Sequence, residues 1–196
     1  MIRNIKILRV CIYSFCVFVI ISLATPASTT ELKEKLIDLE SASPGLAILD
    51  LSIPTESLDL KNIYFQDIKG EKFTLKDFEE PILALHFWAT WCAPCRSELP
   101  TLDILQGALE HDKFKVITIS IDVGSSKKII EFYENSNINN LTLFRDDDMS
   151  ASRQLRINGI PTTILVGPKN KEIARVIGDR DWSKPDVIKL FHDLIN

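Results

Sequence analysis

From about residue 58 onward, the chain alternates short apolar runs with segments whose apolar residues recur every three or four positions. Runs of about four to eight apolar residues are typical of buried strands, and the second spacing is typical of amphipathic helices. Alternating strands and helices favour an α/β fold, with a central mixed β-sheet flanked by helices. The predicted strands are PILALHFW, KVITISID, LTLF, IPTTILV and EIARVI, and the predicted helices are residues 94–110, a helix capped by Ser125 or Ser126, MSASRQLRI and WSKPDVIKLFHDLI.

Two segments upstream of the first apolar run complete the predicted organisation. NIYFQDIKGEKFTL has the pattern of a β-hairpin with a Lys-Gly turn, which we expect as an N-terminal extension of one domain over residues 58–196. Residues 31–57 are predicted to be a linker with a short helix, since Leu32, Leu36 and Leu39 share one helical face before SASPG ends the pattern. A spacer between the domain and a membrane is the simplest role for that helix.

The first 30 residues have a different pattern from the rest. Arg3, Lys6 and Arg9 precede the segment Val10–Thr30, which carries no charge and is mostly apolar. A basic start followed by an apolar stretch is typical of a secretory signal, and about 20 apolar residues also suffice to span a bilayer. We therefore expect an inner-membrane signal anchor with the domain facing the periplasm, or a signal peptide whose cleavage releases the domain there. A buried N-terminal helix is the remaining alternative.

Composition and charge exclude few function classes. Of the 196 residues, 45% are hydrophobic and 26% are charged, which is ordinary for a globular domain. The formal net charge of −4 argues against nucleic acid as the main partner. We expect a monomer without a cofactor.

The candidate chemistry lies in ALHFWATWCAPCRSELP, where two residues separate Cys92 from Cys95. The other two cysteines, Cys11 and Cys16, lie in the apolar N-terminal segment. A structural zinc site needs four ligands, and none of the three histidines has ligand spacing. A purely structural disulfide would close a very small loop and remove little entropy from the unfolded chain. Both roles remain alternatives to a redox pair.

A redox role follows from where the pair falls in the predicted elements. Cys92 lies between a strand end and a helix start, where the free N–H groups of the helix stabilise a thiolate and lower its pKa. Cys95 lies one turn into the helix, and Pro94 occupies the first turn, where its missing N–H is not needed. Trp91 supplies a flat apolar surface beside the sulfur. Such a pair beside a strand–helix–strand pattern is typical of a thiol–disulfide centre.

FWATWCAPCRSELP, followed some sixty residues later by GIPTTILV, resembles the thioredoxin superfamily. The hairpin, the ITISID strand and the end GPKNKEIARVIG are similar to its membrane-tethered TlpA/ResA/CcmG branch, and GDRDWSKPDVIKLF is most similar to TlpA. The resemblance covers about residues 46–196. It implies a thioredoxin-like fold and a periplasmic oxidoreductase that reduces partner proteins, typically cytochrome c factors or copper-site assembly proteins of cytochrome oxidase.

The cysteines have different predicted roles. We expect the Cys92 thiolate to attack a client disulfide and Cys95 to resolve the mixed disulfide, which leaves a Cys92–Cys95 disulfide. The resemblance further implies a cis bond between Ile160 and Pro161, with the Ile160 backbone beside the cysteines to pair with a client.

Two further positions are compared with the family pattern. Glu98 matches an acidic residue that this branch has near its cysteines, with a solvated helix carboxylate as the alternative. His86 stands where thioredoxins have a buried Asp and this branch often has Asn. It can serve the same proton relay near neutral pH, or be a hydrogen-bonded core histidine.

Two rival functions use the same fold, and a non-enzymatic binding module is a third alternative. A copper-binding assembly factor would have three residues between its cysteines and a distant histidine, and a thiol peroxidase would have a Pro-x-x-x-Thr-flanked cysteine; neither pattern is present. The expected direction is reduction. Ala93 and Pro94 offer no charge or side-chain donor to stabilise a thiolate, Glu98 would disfavour it, and Arg96 is expected to be exposed. A reductant in an oxidising compartment needs an electron donor, for which we expect a membrane dithiol.

Overall fold

The fold was analysed in a computed structural model, which describes residues 27–42, 49–56, 58 and 60–196. The predicted signal segment lies almost wholly outside these residues. Within the described part of the chain, no helix has the length and apolar character needed to cross a bilayer.

Twelve helices and strands of regular structure are described. In chain order they are α1 (Thr29–Ala42), β1 (Tyr64–Gln66), β2 (Lys72–Thr74), β3 (Ile82–Trp88), α2 (Ala93–Ala108), β4 (Phe114–Ser120), α3 (Lys127–Asn135), β5 (Thr142–Arg145), α4 (Ser150–Gln154), β6 (Thr162–Gly167), β7 (Lys171–Ile177) and α5 (Pro185–Ile195).

Seven strands form one mixed sheet in the order β2-β1-β5-β4-β3-β6-β7. Strands β3, β4 and β5 are parallel neighbours, whereas β6 and β7 pair antiparallel on the other side of β3. The antiparallel hairpin β1-β2 joins the sheet through β5. The predictions of a central mixed sheet with flanking helices and of the hairpin are confirmed. The carboxyl ends of the three parallel strands meet at one edge, where ligands bind in open α/β sheets.

Strand β3 lies in the middle of the sheet, and its side chains enter a separate core on each face. All seven of its residues are buried, which explains its nearly continuous apolar sequence. Ala84 and Trp88 face the core that contains the cysteine pair and residues of α1, α2, α3 and α5. Leu85 and Phe87 face the core formed with the hairpin and α4.

The element boundaries differ from the predicted ones where loops begin. The helix predicted over residues 94–110 spans Ala93–Ala108, and the strand predicted to reach Asp122 ends at Ser120. Ser126 occupies the cap position of α3 without a side-chain hydrogen bond. Asp122 therefore belongs to the loop after β4, where its carboxylate is free to bond to the loop that carries the cysteines.

Helix α1 packs against β7 and α5. Leu32 and Leu36 are buried in the same core as the cysteines, and the Thr29 hydroxyl donates a 3.1 Å hydrogen bond to the Pro168 carbonyl. The predicted helix exists, but a free spacer does not fit this packing, because the apolar face of the helix is part of the core. The domain boundaries themselves stay predictions.

Gly167, at the end of β6, leaves room for α1 to approach the sheet. A Cβ atom at this position would lie 2.9 Å from Ile173 Cγ2 and 3.3 Å from Leu32 Cδ1. Both distances are shorter than ordinary van der Waals contact between carbon atoms. Even one methyl group here would push β7 and α1 away from the end of β6.

We expect Gly167→Ala to destabilise the fold by about 1–3 kcal/mol, the usual cost of overpacking a core. Urea unfolding followed by tryptophan fluorescence measures the change. Gly159→Ala is the matched control, since a Cβ there meets nothing within 4 Å. Equal stability of the two variants would contradict the close contact between α1 and the sheet.

Candidate active site

Cys92 and Cys95 form a disulfide with an S–S distance of 2.04 Å at the N-terminus of α2. Cys92 is the N-cap residue of the helix, and its sulfur accepts a 3.2 Å hydrogen bond from the Cys95 backbone N–H. Cys92 keeps 6% of its surface exposed, whereas Cys95 is fully buried. A partner sulfur therefore reaches Cys92 first, as the predicted roles of the two cysteines require.

The helix N-terminus supplies the electrostatic environment of Cys92. The unpaired N–H groups of the first turn carry a partial positive charge, which favours a thiolate. The Cys95 N–H already points at the Cys92 sulfur, so a thiolate there gains a hydrogen bond without rearrangement. Arg96 is exposed on the outer face of the same turn, where solvent screens its charge.

The Ile160–Pro161 peptide bond is cis, as predicted. The Ile160 carbonyl oxygen lies 3.9 Å from the Cys92 sulfur, so the loop before β6 lies directly beside the pair. Ile177 pairs with Thr162 in the sheet and is 60% exposed. Ile177 was not among the residues predicted for the site, because strand periodicity alone does not show which exposed apolar residue borders a site.

A mostly apolar groove of about 750 Å³ lies next to Thr90 and Trp91, the two residues that precede Cys92. Trp91, Val123 and Met149 line it and are all exposed. Its floor is fixed by Asp122, whose carboxylate accepts hydrogen bonds from the Thr90 backbone N–H at 2.8 Å and the Thr90 hydroxyl at 2.7 Å. Asp122 was not predicted as a site residue, although a polar residue just after a parallel strand is a signal for such a position.

Glu98 is buried on the same inward face of α2 as Cys95. The alternative prediction, that Glu98 is a solvated carboxylate on the helix surface, is therefore wrong. The indole N–H of Trp182 donates a hydrogen bond to Glu98 Oε1, and Oε2 has no partner among the described residues. Burial raises the pKa of the Glu98 carboxyl to about 8, opposed by the Trp182 indole and the Arg180 backbone N–H. The carboxyl is therefore mostly neutral at pH 7.

His86 is fully buried and accepts or donates one hydrogen bond, between Nδ1 and the Thr163 hydroxyl at 2.9 Å. Within the part of the chain that the structure describes, its Nε2 has no partner. Burial lowers the pKa of His86 to about 3. The ring stays neutral over the physiological range, so a proton relay through its charged form near neutral pH does not fit, and the core-histidine alternative does.

The remaining predicted site residues lie around the pair without further polar contacts to it. Pro94 is in the first turn of α2 and is exposed. Among the described residues, no three His, Cys, Asp or Glu side chains are grouped so that they could hold a metal ion.

The raised pKa of Glu98 makes the stability of the fold depend on pH. The folded state holds a proton up to about pH 8, whereas an unfolded glutamate releases it near 4.5. Between these values the free energy of unfolding falls as pH rises, by at most about 1.4 kcal/mol per pH unit. We expect Glu98→Gln to flatten this slope in urea unfolding between pH 5 and 8.

Glu134→Gln, on the exposed surface of α3, is the control for that measurement and leaves the slope in place. An unchanged slope in the Glu98 variant would show that the carboxyl is ionised in the folded protein at neutral pH.

Comparison with known proteins places this site in a family. The AhpC/TSA family model matches residues 54–174. The thiol-disulfide oxidoreductase ResA of Bacillus subtilis (strain 168) is 28% identical over 145 residues, which make up 72% of this chain and 75% of ResA.

Two solved structures confirm the thioredoxin-like fold. DsbE, a thiol:disulfide interchange protein of Chlorobium tepidum, superposes with a TM-score of 0.62 at 21% identity, covering 74% of this chain and 100% of that one. A DsbF homologue from Corynebacterium diphtheriae gives a TM-score of 0.56 at 26% identity, covering 76% and 94%. The chain therefore belongs to the AhpC/TSA family, and the chemistry of its cysteine pair is that of a thiol–disulfide oxidoreductase.

Proposed function

We propose that this chain reduces disulfide bonds in partner proteins outside the cytoplasm. The observation that carries the proposal is the unequal access to its two sulfurs. Cys92 borders the exposed Trp91 ring and the Ile160 carbonyl, whereas Cys95 is fully buried one turn further along α2. In this proposal the Cys92 sulfur reacts with the partner, and the buried Cys95 sulfur then releases the partner from the mixed disulfide.

The reaction proceeds from the dithiol form in two exchanges. The Cys92 thiolate attacks one sulfur of the client disulfide, which forms a mixed disulfide and releases the other client sulfur as a thiolate. Cys95 then loses its proton and attacks the Cys92 sulfur, which restores the Cys92–Cys95 disulfide and releases the second client thiol. Two electrons pass from the enzyme to the client.

Glu98 is the group that takes the proton from Cys95 in this scheme. The two side chains are buried three residues apart on the same face of α2, where such neighbours have Cβ atoms about 5–6 Å apart. With a pKa of about 8, roughly one tenth of the carboxyl is ionised at pH 7 and can act as a base. Cys95 and Glu98 are both buried, so a client does not reach this inner face of the helix.

The proposed direction rests on the first turn of α2. Ala93 and Pro94 present no charge or side-chain donor to the Cys92 sulfur, and Arg96 is exposed. The repulsion expected from Glu98 does not contribute at pH 7, because its carboxyl is mostly protonated, so the proposed direction rests on the missing donors at Ala93 and Pro94 and on the exposure of Arg96. The thiolate is thus stabilised mainly by the helix N-terminus, which leaves the dithiol a good reductant.

The proposed setting follows from the N-terminal pattern and the relatives. A basic start and an uncharged apolar segment support a membrane anchor, or a cleaved signal, with the domain in the periplasm. The clients proposed from the resemblance are cytochrome c or cytochrome oxidase assembly factors, and a membrane dithiol is the proposed electron donor. The enzyme works as a monomer in this proposal.

We expect Cys92→Ser to abolish reduction of insulin, because the attacking sulfur is gone. Cys95→Ser is expected to accumulate covalent client complexes, because the mixed disulfide cannot be resolved. Non-reducing gels of periplasmic extracts, with the double serine variant as the control, measure the trapping. Complexes that form through Cys95 in the Cys92→Ser variant would reverse the two roles.

We expect a reduction potential below about −180 mV, the level of protein disulfide isomerase, and nearer the thioredoxin value of about −270 mV. Equilibration of the purified protein with glutathione and dithiothreitol redox buffers measures it. Pro94→His is expected to shift the potential upward, since it places a donor between the cysteines. A wild-type potential above about −180 mV would make this protein an oxidase or an isomerase.

A further inference from the structure

The loop between β7 and α5 connects the two sides of the active site. We name residues 178–182 the GDRDW loop after their sequence. At its start, the Gly178 backbone N–H donates a 2.9 Å hydrogen bond to the Pro161 carbonyl. At its end, the Trp182 indole N–H donates to Glu98 Oε1. The loop therefore contacts both the cis-proline segment beside Cys92 and the buried Glu98 carboxyl, three residues after Cys95 on α2.

Two hydrogen bonds hold the end of this loop against one turn of α2, and a third bond within the helix orients the hydroxyl that receives one of them. Besides the indole bond, the Trp182 backbone N–H donates to the Thr101 hydroxyl at 3.1 Å, and that hydroxyl donates to the Glu98 carbonyl at 2.7 Å. The Trp182 ring is fully buried and packs against Phe191 of α5. The indole thus has a fixed position relative to the Glu98 carboxyl.

The other side of the loop is fixed by the segment that precedes the hairpin. Arg180 Nε donates a 3.2 Å hydrogen bond to the Leu49 carbonyl, and its guanidinium lies 3.5 Å from the Asp50 carboxylate. Gly178 has a φ of +86°, a conformation that few other residues adopt readily, and it turns the chain out of β7. The loop is therefore held from both flanks, by the part-buried bond to the Leu49 carbonyl on one side and by the bonds of Trp182 to α2 on the other.

The indole is the only side-chain donor that Glu98 has within the described structure, because Oε2 is unpartnered. A buried carboxylate without a donor is costly, so each hydrogen bond favours the ionised form over the protonated one. The charged groups that act on Glu98 are Asp179 and Arg180, one of each sign and both from the GDRDW loop. Their effects are opposite in sign, so the carboxylate is stabilised first by the Trp182 indole and second by the Arg180 backbone N–H.

We propose that Trp182 is a positioning residue for the exchange reaction: its indole N–H holds the Glu98 carboxyl on the Cys95 side of α2 and favours the ionised form that deprotonates Cys95. This inference rests on the role given above to Glu98. The GDRDW loop then sets the pH at which the mixed disulfide is resolved, and Trp182 acts through Glu98.

The test is the pH dependence of mixed-disulfide resolution. Reduced protein reacts with a cysteine peptide linked to a fluorescent thiol, and the rate of peptide release is followed from about pH 5.5 to 9.5, a range that brackets the raised pKa of Glu98. In the wild type, the release rate is expected to rise with pH around that pKa, and we call this rise the limb of the profile. In Trp182→Phe, which keeps an aromatic ring but removes the donor, we expect this limb to move upward by at least about half a pH unit; in Glu98→Gln we expect it to vanish.

Trp88→Phe is the matched control, because Trp88 is also fully buried but its indole N–H has no partner in the described part of the chain. This variant is expected to leave the limb in place. The attack step, measured with Ellman's reagent in a Cys95→Ser background, is expected to be unchanged by Trp182→Phe. A limb that stays in place in Trp182→Phe, or an equal shift in Trp88→Phe, overturns the inference.

A second measurement covers the case in which Trp182→Phe does not fold. Thr101→Val removes the hydroxyl that anchors the Trp182 backbone, and infrared difference spectra against Glu98→Gln report the protonated carboxyl directly. We expect its band to persist to higher pH in Thr101→Val than in the wild type; an identical titration overturns the inference. Failure of the proposed function is distinguished by the wild type, which would then not reduce protein disulfides at all.

Discussion

The packing of α2 against the sheet is the contact on which the rest of the site depends. The inward face of the helix carries Cys95, Glu98 and Leu99, all buried. Because that face packs against the sheet, the first turn of the helix starts at the edge of the sheet where β3 ends. Cys92 therefore lies at this edge, and the Cys95 backbone N–H of the first turn donates to its sulfur. The same contact removes water from Glu98 and so raises its pKa. The difference between an outer and an inner sulfur is therefore a consequence of helix packing.

Much of this arrangement could be predicted from the sequence, because local patterns determine it. The buried strands appear as apolar runs, the hairpin as two short segments around a turn, and the cysteine pair as a motif at a strand–helix junction. The cis bond before Pro161 followed from the family resemblance. These features depend on neighbouring residues or on a motif, so they do not require knowledge of which distant segments meet.

The features that could not be predicted arise from contacts between distant parts of the chain. Glu98 and Trp182 are 84 positions apart, and no periodicity connects them. The burial of Glu98 could have been predicted, since it lies on the helical face defined by Cys95, Leu99 and Leu102. The packing of α1 against the domain could not have been predicted, because its leucine pattern is compatible with packing against any apolar surface. What distinguishes this surface is the missing side chain at Gly167.

The position of α1 also determines how the molecule is held. Thr29, at the start of the helix, bonds to Pro168 just beyond the end of β6, whereas the start of β6 at Thr162 follows the proline beside the cysteines. The six residues of β6, at about 3.3 Å each, separate these two ends by about 20 Å. Whatever precedes Ala27 along the chain therefore joins the domain near the end of β6, about 20 Å from the start of that strand beside the cysteines. A tether attached there would hold the domain near the end of β6 and leave the edge of the sheet that carries the cysteines accessible to a client.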